Sequence, residues 1–250
     1  LKPKLAMSEC KIGSTPVKVY GIAKGSGMIF PNMATTLGFL FTDANLSSSV
    51  LKNILKENIE TTFNAISCDG DTSTNDMVSI FATNKANNID VKNHKDKKLN
   101  DFKDSVHEVL LNLAKRVAAD GEGASKFVTI NCIKAKSVND AKKICFSISN
   151  SPLVKTAIAG EDPNWGRVAM AVGKTEIKID IKKLNIFFGP YKIFSKNELS
   201  KDYEEQKIAD YMKNESIQIT VDLGMGNKSF TSYTMDLTKN YIEINADYRS

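Results

Sequence analysis

The 250-residue chain has few of the residues from which metal centres and disulfide frameworks are built. Its only imidazoles are His94 and His107, and its four cysteines are widely spaced without a Cys-x-x-Cys pair. Zinc sites and disulfide scaffolds require clustered ligands or paired cysteines. We therefore expect no metal site. We also expect four free thiols in a reducing cytosol, at Cys10, Cys68, Cys132 and Cys145.

Long hydrophobic runs are also absent. The longest, such as residues 37–41, are far too short to cross a bilayer. The sequence shows no start methionine, basic n-region or apolar signal segment, so secretion is not indicated, and we expect the sequence to begin within a longer protein. The expectation is a cytoplasmic protein without a membrane partner.

The charge balance gives little support to nucleic-acid binding. The formal net charge is only +5, and the densest basic run is Lys92–Lys98. That run has no interleaved aromatic side chains on which bases could stack. A solvated surface loop explains it better than a nucleic-acid interface, and we expect no nucleic-acid partner.

Several common catalytic motifs are missing as well. The Gly25-Ser-Gly27 run lacks the third glycine of a dinucleotide fingerprint, and Gly173-Lys-Thr has Val168 where a phosphate loop needs glycine. The second run therefore predicts a helix end. Neither Gly-x-Ser-x-Gly nor His-Glu-x-x-His occurs.

Hydrophobic periodicity predicts a mixture of strands and helices. The predicted strands are 15–23, 37–42, 127–135, 217–223, 229–237 and 241–246. The predicted helices are one capped by Asp43 or Asn45 and reaching Phe63, then about 104–119, 139–149, 153–159, 164–172 and 201–212. The run Gly224–Asn227 predicts a hairpin between two of the strands. Because no regular βαβ repeat appears, the fold class expected is α+β, with layered sheets and helices.

One run places a threonine after a small residue in a glycine-punctuated segment. It extends from Lys24 to Leu37 (KGSGMIFPNMATTL) and contains Ala34-Thr35. If the bond before Thr35 is broken, the freed α-amine lies close to the β-hydroxyl. One residue then supplies both general base and nucleophile.

This run resembles the cleavage motif of the ornithine acetyltransferase (glutamate N-acetyltransferase) family. Four further stretches are similar to the same family, in chain order: 69–76 (DGDTSTND), 120–126 (DGEGASK), 162–167 (DPNWGR) and 241–248 (YIEINADY). The resemblance covers essentially the whole chain. It implies a layered α+β fold of the self-cleaving threonine-nucleophile type.

The resemblance also implies a domain division and a reaction. Residues 1–34 correspond to the C-terminal segment of an α subunit, and residues 35–250 to a β subunit that begins with the nucleophile Thr35. The implied enzyme of arginine biosynthesis moves acetyl from N-acetylornithine to glutamate through acetyl-threonine and releases ornithine. No cofactor is needed. Some members also accept acetyl-CoA, a point that these residues leave open.

The family's substrate contacts carry over to Lys24, Thr35, Glu122, Asn245 and Ser250. A lysine can bind an amino-acid carboxylate, and the Glu122 carboxylate can accept hydrogen bonds from the charged amine of ornithine. Ser250 stands where threonine is common, which keeps the hydroxyl.

Within the stretch 69–76, Asp71 and Asn75 are expected to support the Thr35 neighbourhood rather than to bind metal. The spacing fits no metal loop, because an EF-hand counted from Asp69 would need glutamate at Ile80. The stretch 162–167 is consistent with a substrate pocket. It is equally consistent with a structural role in which Trp165 is buried with Arg167 stacked on it.

The chain departs from the family pattern in two places. Thr36 follows the nucleophile where the family commonly has methionine. Cleavage before Thr36, which would make Thr36 the nucleophile, is therefore the alternative to cleavage before Thr35. Only 34 residues precede Thr35, and the Thr-Gly pair that forms the family's oxyanion hole has no match. An upstream α-subunit lobe is therefore the expected partner, in an (αβ)2 heterotetramer.

Two other interpretations remain. One is a self-cleaving aminopeptidase or amidase of the same fold, which passes the acyl group to water. The other is a degenerate module that folds and associates without catalysis, supported only by the short segment before Thr35. The set Lys24, Glu122 and Asn245 favours an amino-acid acceptor over water.

Overall fold

The computed structural model describes residues 2–30, 36–73, 76–201 and 203–247. The chain forms two compact units, which are described separately. The first contains residues 1–66 and 70–120, and the second contains residues 67–69 and 121–250. This division lies far from the predicted boundary at residues 34 and 35, which concerns cleavage rather than packing.

The first unit is a four-stranded sheet with two long helices. Its strands are β1 (Lys4–Ile12), β2 (Thr15–Lys24), β3 (Leu37–Thr42) and β4 (Met77–Ala82), and they lie in the order β1-β2-β3-β4. The pairs β1–β2 and β2–β3 are antiparallel, whereas β3–β4 is parallel. Helix α1 (Ser48–Ile59) packs against β4, and α2 (Asn100–Ala119) packs against β1 and β2.

The core of the first unit lies between this sheet and its helices. Alternate residues of the strands are fully buried, among them Ile12, Val17, Val19 and Leu40. Helix α2 supplies the matching stripe at spacings of three and four, which includes Val106, Leu110 and Leu113.

The second unit is built on a six-stranded sheet. Its strands are β5 (Phe127–Ala135), β6 (Asn185–Phe188), β7 (Tyr191–Ser195), β8 (Glu198–Leu199), β9 (Ser216–Asp222) and β10 (Lys228–Met235). Their order is β10-β5-β9-β6-β7-β8. The helices are α3 (Val138–Ser149), α4 (Pro152–Ala159), α5 (Trp165–Gly173), α6 (Glu205–Met212) and α7 (Lys239–Ala246).

The predicted α+β class is confirmed, and most predicted elements are present. Strands β2, β3 and β5 and helices α3, α4 and α5 begin and end within one or two residues of their predicted limits. Helix α5 ends at Gly173, which agrees with the prediction that Gly173-Lys-Thr is a helix end rather than a phosphate loop. Helix α2 begins four residues earlier than predicted, and α6 begins four residues later.

The predicted cap of the first helix was wrong. Ser47, rather than Asp43 or Asn45, is the N-cap of α1, and its side chain accepts a hydrogen bond from the backbone N–H of Val50. Serine is as good an N-cap as aspartate or asparagine. The Asp43 carboxylate instead accepts a hydrogen bond from the Lys18 backbone, 25 residues away.

The predicted hairpin at Gly224–Asn227 was also wrong. Strands β9 and β10 do not pair with each other, because β5 lies between them, parallel to β9 and antiparallel to β10. The connecting loop crosses the end of β5, where the Met225 N–H donates to the Lys134 carbonyl at 2.8 Å. Gly226 is required there, since a Cβ would lie 2.3 Å from the Ala135 carbonyl oxygen.

The last predicted strand is a helix. The alternation in residues 241–246 is only a few residues long, and α7 buries none of its side chains. Thr238 caps α7 by accepting a hydrogen bond from the backbone N–H of Tyr241. The helical conformation of this segment is therefore determined by its local cap and not by the burial of side chains. Among the helices that the structure describes, none is long and apolar enough to cross a membrane.

Candidate active site

Lys24 is the last residue of β2, and its side chain is exposed. It pairs with Leu37 at the start of β3, so the predicted cleavage segment connects two adjacent strands. Ala34 and Thr35 lie outside the described residues. Thr36, the next residue, is buried.

Asp76 lies directly before β4, at the same end of the sheet as Lys24. Burial raises the pKa of its carboxyl to about 6, although a hydrogen bond from the Thr36 backbone and the positive charge of Lys24 act in the opposite direction. Its Oδ1 atom is buried and has no hydrogen-bond partner among the described residues. A small cavity beside it is lined by Ile29, Phe30, Thr36, Phe63 and Val78.

Asp76 belongs to the predicted supporting stretch but was not singled out within it. The sequence favoured Asp71 and Asn75. Asp71 is exposed, and Asn75 lies outside the described residues. The signal that could have indicated Asp76 is its place directly before strand β4, since a carboxyl beside the apolar residue Val78 is readily desolvated.

Glu122 and Asn245 meet in the second unit, although 123 residues separate them. The Asn245 Nδ2 atom donates to the Glu122 carboxylate at 3.1 Å and to the Tyr241 carbonyl at 3.0 Å. Asn245 is exposed on α7, and Glu122 is half-buried in the turn that follows α2. A carboxylate and an amide side by side can together bind a charged amine and a neighbouring polar group.

The turn that carries Glu122 is packed tightly against the start of α7. Gly123 has a φ of +67°, and a Cβ there would lie 2.4 Å from the Tyr241 backbone nitrogen. The Thr238 hydroxyl, which caps α7, also donates to the Gly123 carbonyl at 2.6 Å. Only glycine permits both this backbone conformation and this approach.

A buried carboxylate fixes the other side of the same turn. Asp236 is fully buried at the end of β10. It accepts hydrogen bonds from the backbone N–H groups of Ser125 (2.9 Å) and Lys126 (3.0 Å), and from the Ser125 hydroxyl. No local pattern indicates this role, because the partners lie far apart along the chain.

A buried amine holds the residues that begin the acidic stretch. Lys155 of α4 is only 4% exposed. Its Nζ donates to the Cys68 carbonyl (2.8 Å), the Thr234 hydroxyl (3.0 Å) and the Met235 carbonyl (2.5 Å). Desolvation lowers the pKa of this amine to about 8. Sequence reasoning missed it, because a lysine in an amphipathic helix usually faces solvent.

The stretch 162–167 leads into α5, which begins at Trp165. Asn164 caps α5 by accepting a hydrogen bond from the Arg167 N–H at 3.1 Å. Trp165 is half-buried and stacks on Phe194, with ring centroids 5.0 Å apart. Arg167 donates to the Leu153 carbonyl at 2.7 Å. These contacts account for the stretch as structure.

The predicted site residues are thus divided between the units. Lys24 and Asp71 belong to the first unit, as does the unpredicted Asp76, and Glu122 and Asn245 belong to the second. Ala34, Thr35, Asn75 and Ser250 fall outside the described residues. Across the described ranges, no group of three or more His, Cys, Asp or Glu side chains could hold a metal ion. All four cysteines lie within the described residues and form no disulfide there, and three of them are buried.

The layered α+β fold has a solved counterpart. The crystal structure of an arginine biosynthesis bifunctional protein argJ from Bacillus halodurans matches with a TM-score of 0.80 and 34% sequence identity. The match covers 84% of this chain and 98% of that chain. The fold is therefore that of an α+β protein of the type expected from the resemblance.

The family follows from the sequence comparison. The ArgJ family model matches residues 1–250, and the chain belongs to the ArgJ family. Proteins named "Arginine biosynthesis bifunctional protein ArgJ" from Brucella suis and Mesorhizobium japonicum are each 47% identical over 251 residues, 99% of this chain. The Caulobacter vibrioides protein of that name is 45% identical over 248 residues. The chain spans 61% of the length of the first two relatives.

Proposed function

We propose that this chain is part of a glutamate N-acetyltransferase of arginine biosynthesis, which moves acetyl from N-acetylornithine to glutamate. The observation that carries the proposal is the pairing of Glu122 with Asn245 in a chain of the ArgJ family. The name of the relatives supports the pathway, since each is called an arginine biosynthesis bifunctional protein. "Bifunctional" supports a second acetyl donor, acetyl-CoA.

The proposed nucleophile is Thr35, exposed by self-cleavage after Ala34. Its Oγ attacks the Ala34 carbonyl, and the acyl group shifts from N to O, which breaks the C–N bond and frees the Thr35 amine. Water then hydrolyses the ester, which releases the Ala34 carboxylate and restores the Oγ hydroxyl. A single residue then carries nucleophile and base. Cleavage gives the segment 1–34 and a subunit 35–250.

The coverage of the Bacillus halodurans structure supports this boundary. That solved chain is matched over 98% of its length, yet the match covers only 84% of this chain. The solved chain is therefore shorter than this one. A subunit of residues 35–250 would be shorter than this chain by a fraction close to the one that the match leaves uncovered.

The transfer follows a ping-pong course. The Thr35 amine takes the hydroxyl proton as Oγ attacks the acetyl carbonyl of N-acetylornithine. The C–N bond breaks, and the proton passes to the departing ornithine amine. The glutamate amine then attacks the acetyl ester, and Oγ leaves with its proton restored. Hydrogen-bond donors to the tetrahedral oxyanion would contribute roughly 3–4 kcal/mol each.

Substrate recognition is assigned to charged groups of opposite sign. Lys24 binds the α-carboxylate, and the pair Glu122 and Asn245 binds the amine and amide end of the substrate, with Ser250 as a further contact. The exposed Lys24 ammonium at the end of β2 supports the first assignment. Asp76 and its neighbours Asp71 and Asn75 support the strand ends on either side of the nucleophile.

The assembly and location are proposed from the family. The remaining part of the protein is an upstream α-subunit lobe that supplies the oxyanion donors, and the complete enzyme is an (αβ)2 heterotetramer in the cytoplasm. No metal, organic cofactor or nucleic acid takes part.

Intact mass spectrometry of the full-length gene product, followed by two assays, tests the proposal. We expect two polypeptides, one beginning at Thr35, and acetyl transfer from N-acetylornithine to glutamate that exceeds hydrolysis. Cleavage with hydrolysis alone would favour the aminopeptidase or amidase. An uncut and inactive protein would favour the degenerate module.

A further inference from the structure

Strand β10 and helix α7 are joined by the short segment Asp236, Leu237 and Thr238, which we call the connector. Asp236 is fully buried, and Thr238 is the N-cap of α7. The connector therefore determines where α7 begins. Asn245 lies on α7 about two helical turns beyond Thr238.

Asp236 binds the turn that carries Glu122. The consecutive backbone N–H groups of Ser125 and Lys126 both donate to its Oδ1 atom, at 2.9 and 3.0 Å. The Ser125 hydroxyl donates to its other oxygen, and its own N–H donates to the Lys126 carbonyl at 3.2 Å. Because this carboxylate is the acceptor for both N–H groups, its removal would leave them without that partner.

Thr238 links the same turn to α7. Its hydroxyl donates to the Gly123 carbonyl at 2.6 Å and accepts a hydrogen bond from the Tyr241 N–H at 3.4 Å. Helix α7 has eight residues and buries none of its side chains. A helix of this length is not stable on its own. Within the described part of the chain, the position of α7 therefore depends on the contacts at its start.

The connector is anchored to α4. The Leu237 N–H donates to the Lys155 carbonyl at 3.2 Å, and the Lys155 Nζ donates to the Met235 carbonyl at 2.5 Å. Desolvation lowers the pKa of the Lys155 amine, and the negative charge of Asp236 is among the influences that oppose this shift. The two buried charges attract each other, which holds the connector in place.

We propose that Asp236 and Thr238 are positioning residues of the acetyltransferase, and that they act on N-acetylornithine only through Glu122 and Asn245. Neither side chain touches the substrate. They hold the turn and the helix from one short segment, so that the Asn245 amide meets the Glu122 carboxylate at 3.1 Å. An oriented pair binds its ligand at a lower entropic cost. The inference rests on the proposed function for the identity of the substrate, whereas the alignment of the pair does not.

Paired substitutions in the full-length enzyme separate positioning from general stability. Asp236→Ala removes the acceptor of both N–H groups and should raise KM for N-acetylornithine about tenfold, with kcat changed less than about twofold. Asp236→Asn should stay within about threefold of the wild-type KM, because its amide oxygen still accepts both N–H groups and its Nδ2 can donate to the Ser125 hydroxyl. Equal increases in KM for the two variants would contradict the proposal.

Asp222 provides a matched control in the same sheet. It is 7% exposed and accepts a hydrogen bond from the Gly224 N–H at 2.9 Å. It lies at the C-terminal end of β9, about 20 Å along the sheet from the end of β5 that adjoins the Glu122 turn. Asp222→Ala should lower the unfolding midpoint and leave KM within about twofold of wild type. A KM increase equal to that of Asp236→Ala would refute positioning, because general loosening would then explain both.

A double-mutant cycle tests whether Asp236 acts through Glu122. In a Glu122→Ala background, Asp236→Ala should raise KM by no more than about twofold, because the carboxylate that it aligns is already gone. A further rise of about tenfold would mean independent effects and would overturn the proposal. If Asp236→Ala does not fold, Thr238→Val takes its place in the cycle and in the paired test, with Thr238→Ser as the variant that keeps the hydroxyl.

Hydrogen exchange of the α7 peptide reports the alignment without an activity assay. Its amides should exchange about tenfold faster in Asp236→Ala and Thr238→Val than in wild type, and at the wild-type rate in Asp236→Asn. Faster exchange in a protein that transfers no acetyl would support the alignment and refute the proposed function. Unchanged exchange in a protein that transfers acetyl would refute the positioning role and leave the function standing.

Discussion

The Asn245 amide donates a 3.1 Å hydrogen bond to the Glu122 carboxylate, across 123 residues of sequence. The two residues come from different structural contexts, an exposed helix and a turn after a buried helix. The bond depends on the close approach of Gly123 to Tyr241. A substrate that binds this carboxylate would therefore meet an oriented group, which lowers the entropic cost of binding.

Removal of the Glu122 charge should weaken substrate binding. Glu122→Gln keeps the shape of the side chain and loses the attraction that we propose for the ornithine amine. We expect KM for N-acetylornithine to rise about tenfold with a small change in kcat, as uniform binding predicts. Steady-state kinetics of the full-length enzyme measure both, with Glu198→Gln on β8 as the control. A fall in kcat at constant KM would make Glu122 catalytic instead.

Replacement of the nucleophile separates cleavage from transfer. Thr35→Ala should give one uncut polypeptide without acetyl transfer, because no hydroxyl remains. Thr35→Ser should still be cut, because serine keeps the hydroxyl. Intact mass spectra report cleavage. An uncut wild type that transfers acetyl groups would refute the mechanism, and a new N-terminus at Thr36 would move the nucleophile by one position.

Gly123→Ala should separate the Glu122 turn from α7. The added Cβ would lie 2.4 Å from the Tyr241 nitrogen, at a φ of +67° that costs alanine about 1–2 kcal/mol. We expect lower stability and a raised KM for N-acetylornithine. Gly173→Ala is the matched control, because nothing lies within 4 Å of its Cβ position at the end of α5. Equal effects of the two changes would show that packing at Gly123 is unimportant.

Lys155→Met should destabilise the protein by leaving buried carbonyls without a donor. The loss of the bonds to Cys68 and Met235 should cost about 2–4 kcal/mol in urea unfolding. Lys143→Met, on an exposed position of α3, should change stability by less than about 0.5 kcal/mol. An equal change in the two variants would contradict the role of Lys155.

The stability difference between wild type and Lys155→Met should depend on pH with a definite sign. The folded pKa of Lys155 is lowered to about 8, from 10.5. Between pH 8 and 10.5 the unfolded chain binds more protons, so wild type gains stability over the methionine variant as the pH rises through this window. The gain is lost as the pH falls to 8. A difference that is constant from pH 7 to 10 would contradict the lowered pKa.

Asp76 should titrate near pH 6, well above an ordinary aspartate at 3.8. Carboxyl NMR shifts of the full-length protein measure its midpoint. Lys24→Met should raise that midpoint further, because the lysine charge favours the ionised carboxylate. A midpoint near 4 that does not respond to Lys24 would show that the two groups do not interact.

Stability provides the second readout for Asp76. Since its folded pKa is raised, the folded state binds more protons between pH 3.8 and 6, and wild type loses stability as the pH rises through that window. Asp76→Asn has no such loss. Its stability relative to wild type should therefore increase from pH 4 to pH 7.

Hydrophobic periodicity in the sequence predicted correctly those strands and helices whose burial follows a regular period. Strand β5 and helices α3 to α5 have burial periods long enough to be read from the sequence. Helix α7 could not be predicted in the same way, because it buries nothing and is decided by the Thr238 cap. The hairpin at Gly224–Asn227 failed because the strand that enters between β9 and β10 lies far upstream.

The same limit applies to the candidate site. Glu122 and Asn245 were named from a resemblance to a family, and their contact depends on the tertiary fold. Asp236 and Lys155 carry no local signal, because each acts on backbone groups in distant segments of the chain. Their burial and their partners appear only when those segments meet.

The place of β5 also bears on the order in which the protein is made. Its two sheet neighbours, β9 and β10, come late in the chain, and helices α3 to α6 and strands β6 to β8 are made between β5 and β9. During synthesis, β5 therefore leaves the ribosome with both of its hydrogen-bonding edges unsatisfied, and it stays so until those late segments arrive. Unpaired edges of this kind are templates for aggregation. The second unit should consequently fold late, and its yield in cells should depend on chaperones that hold nascent chains.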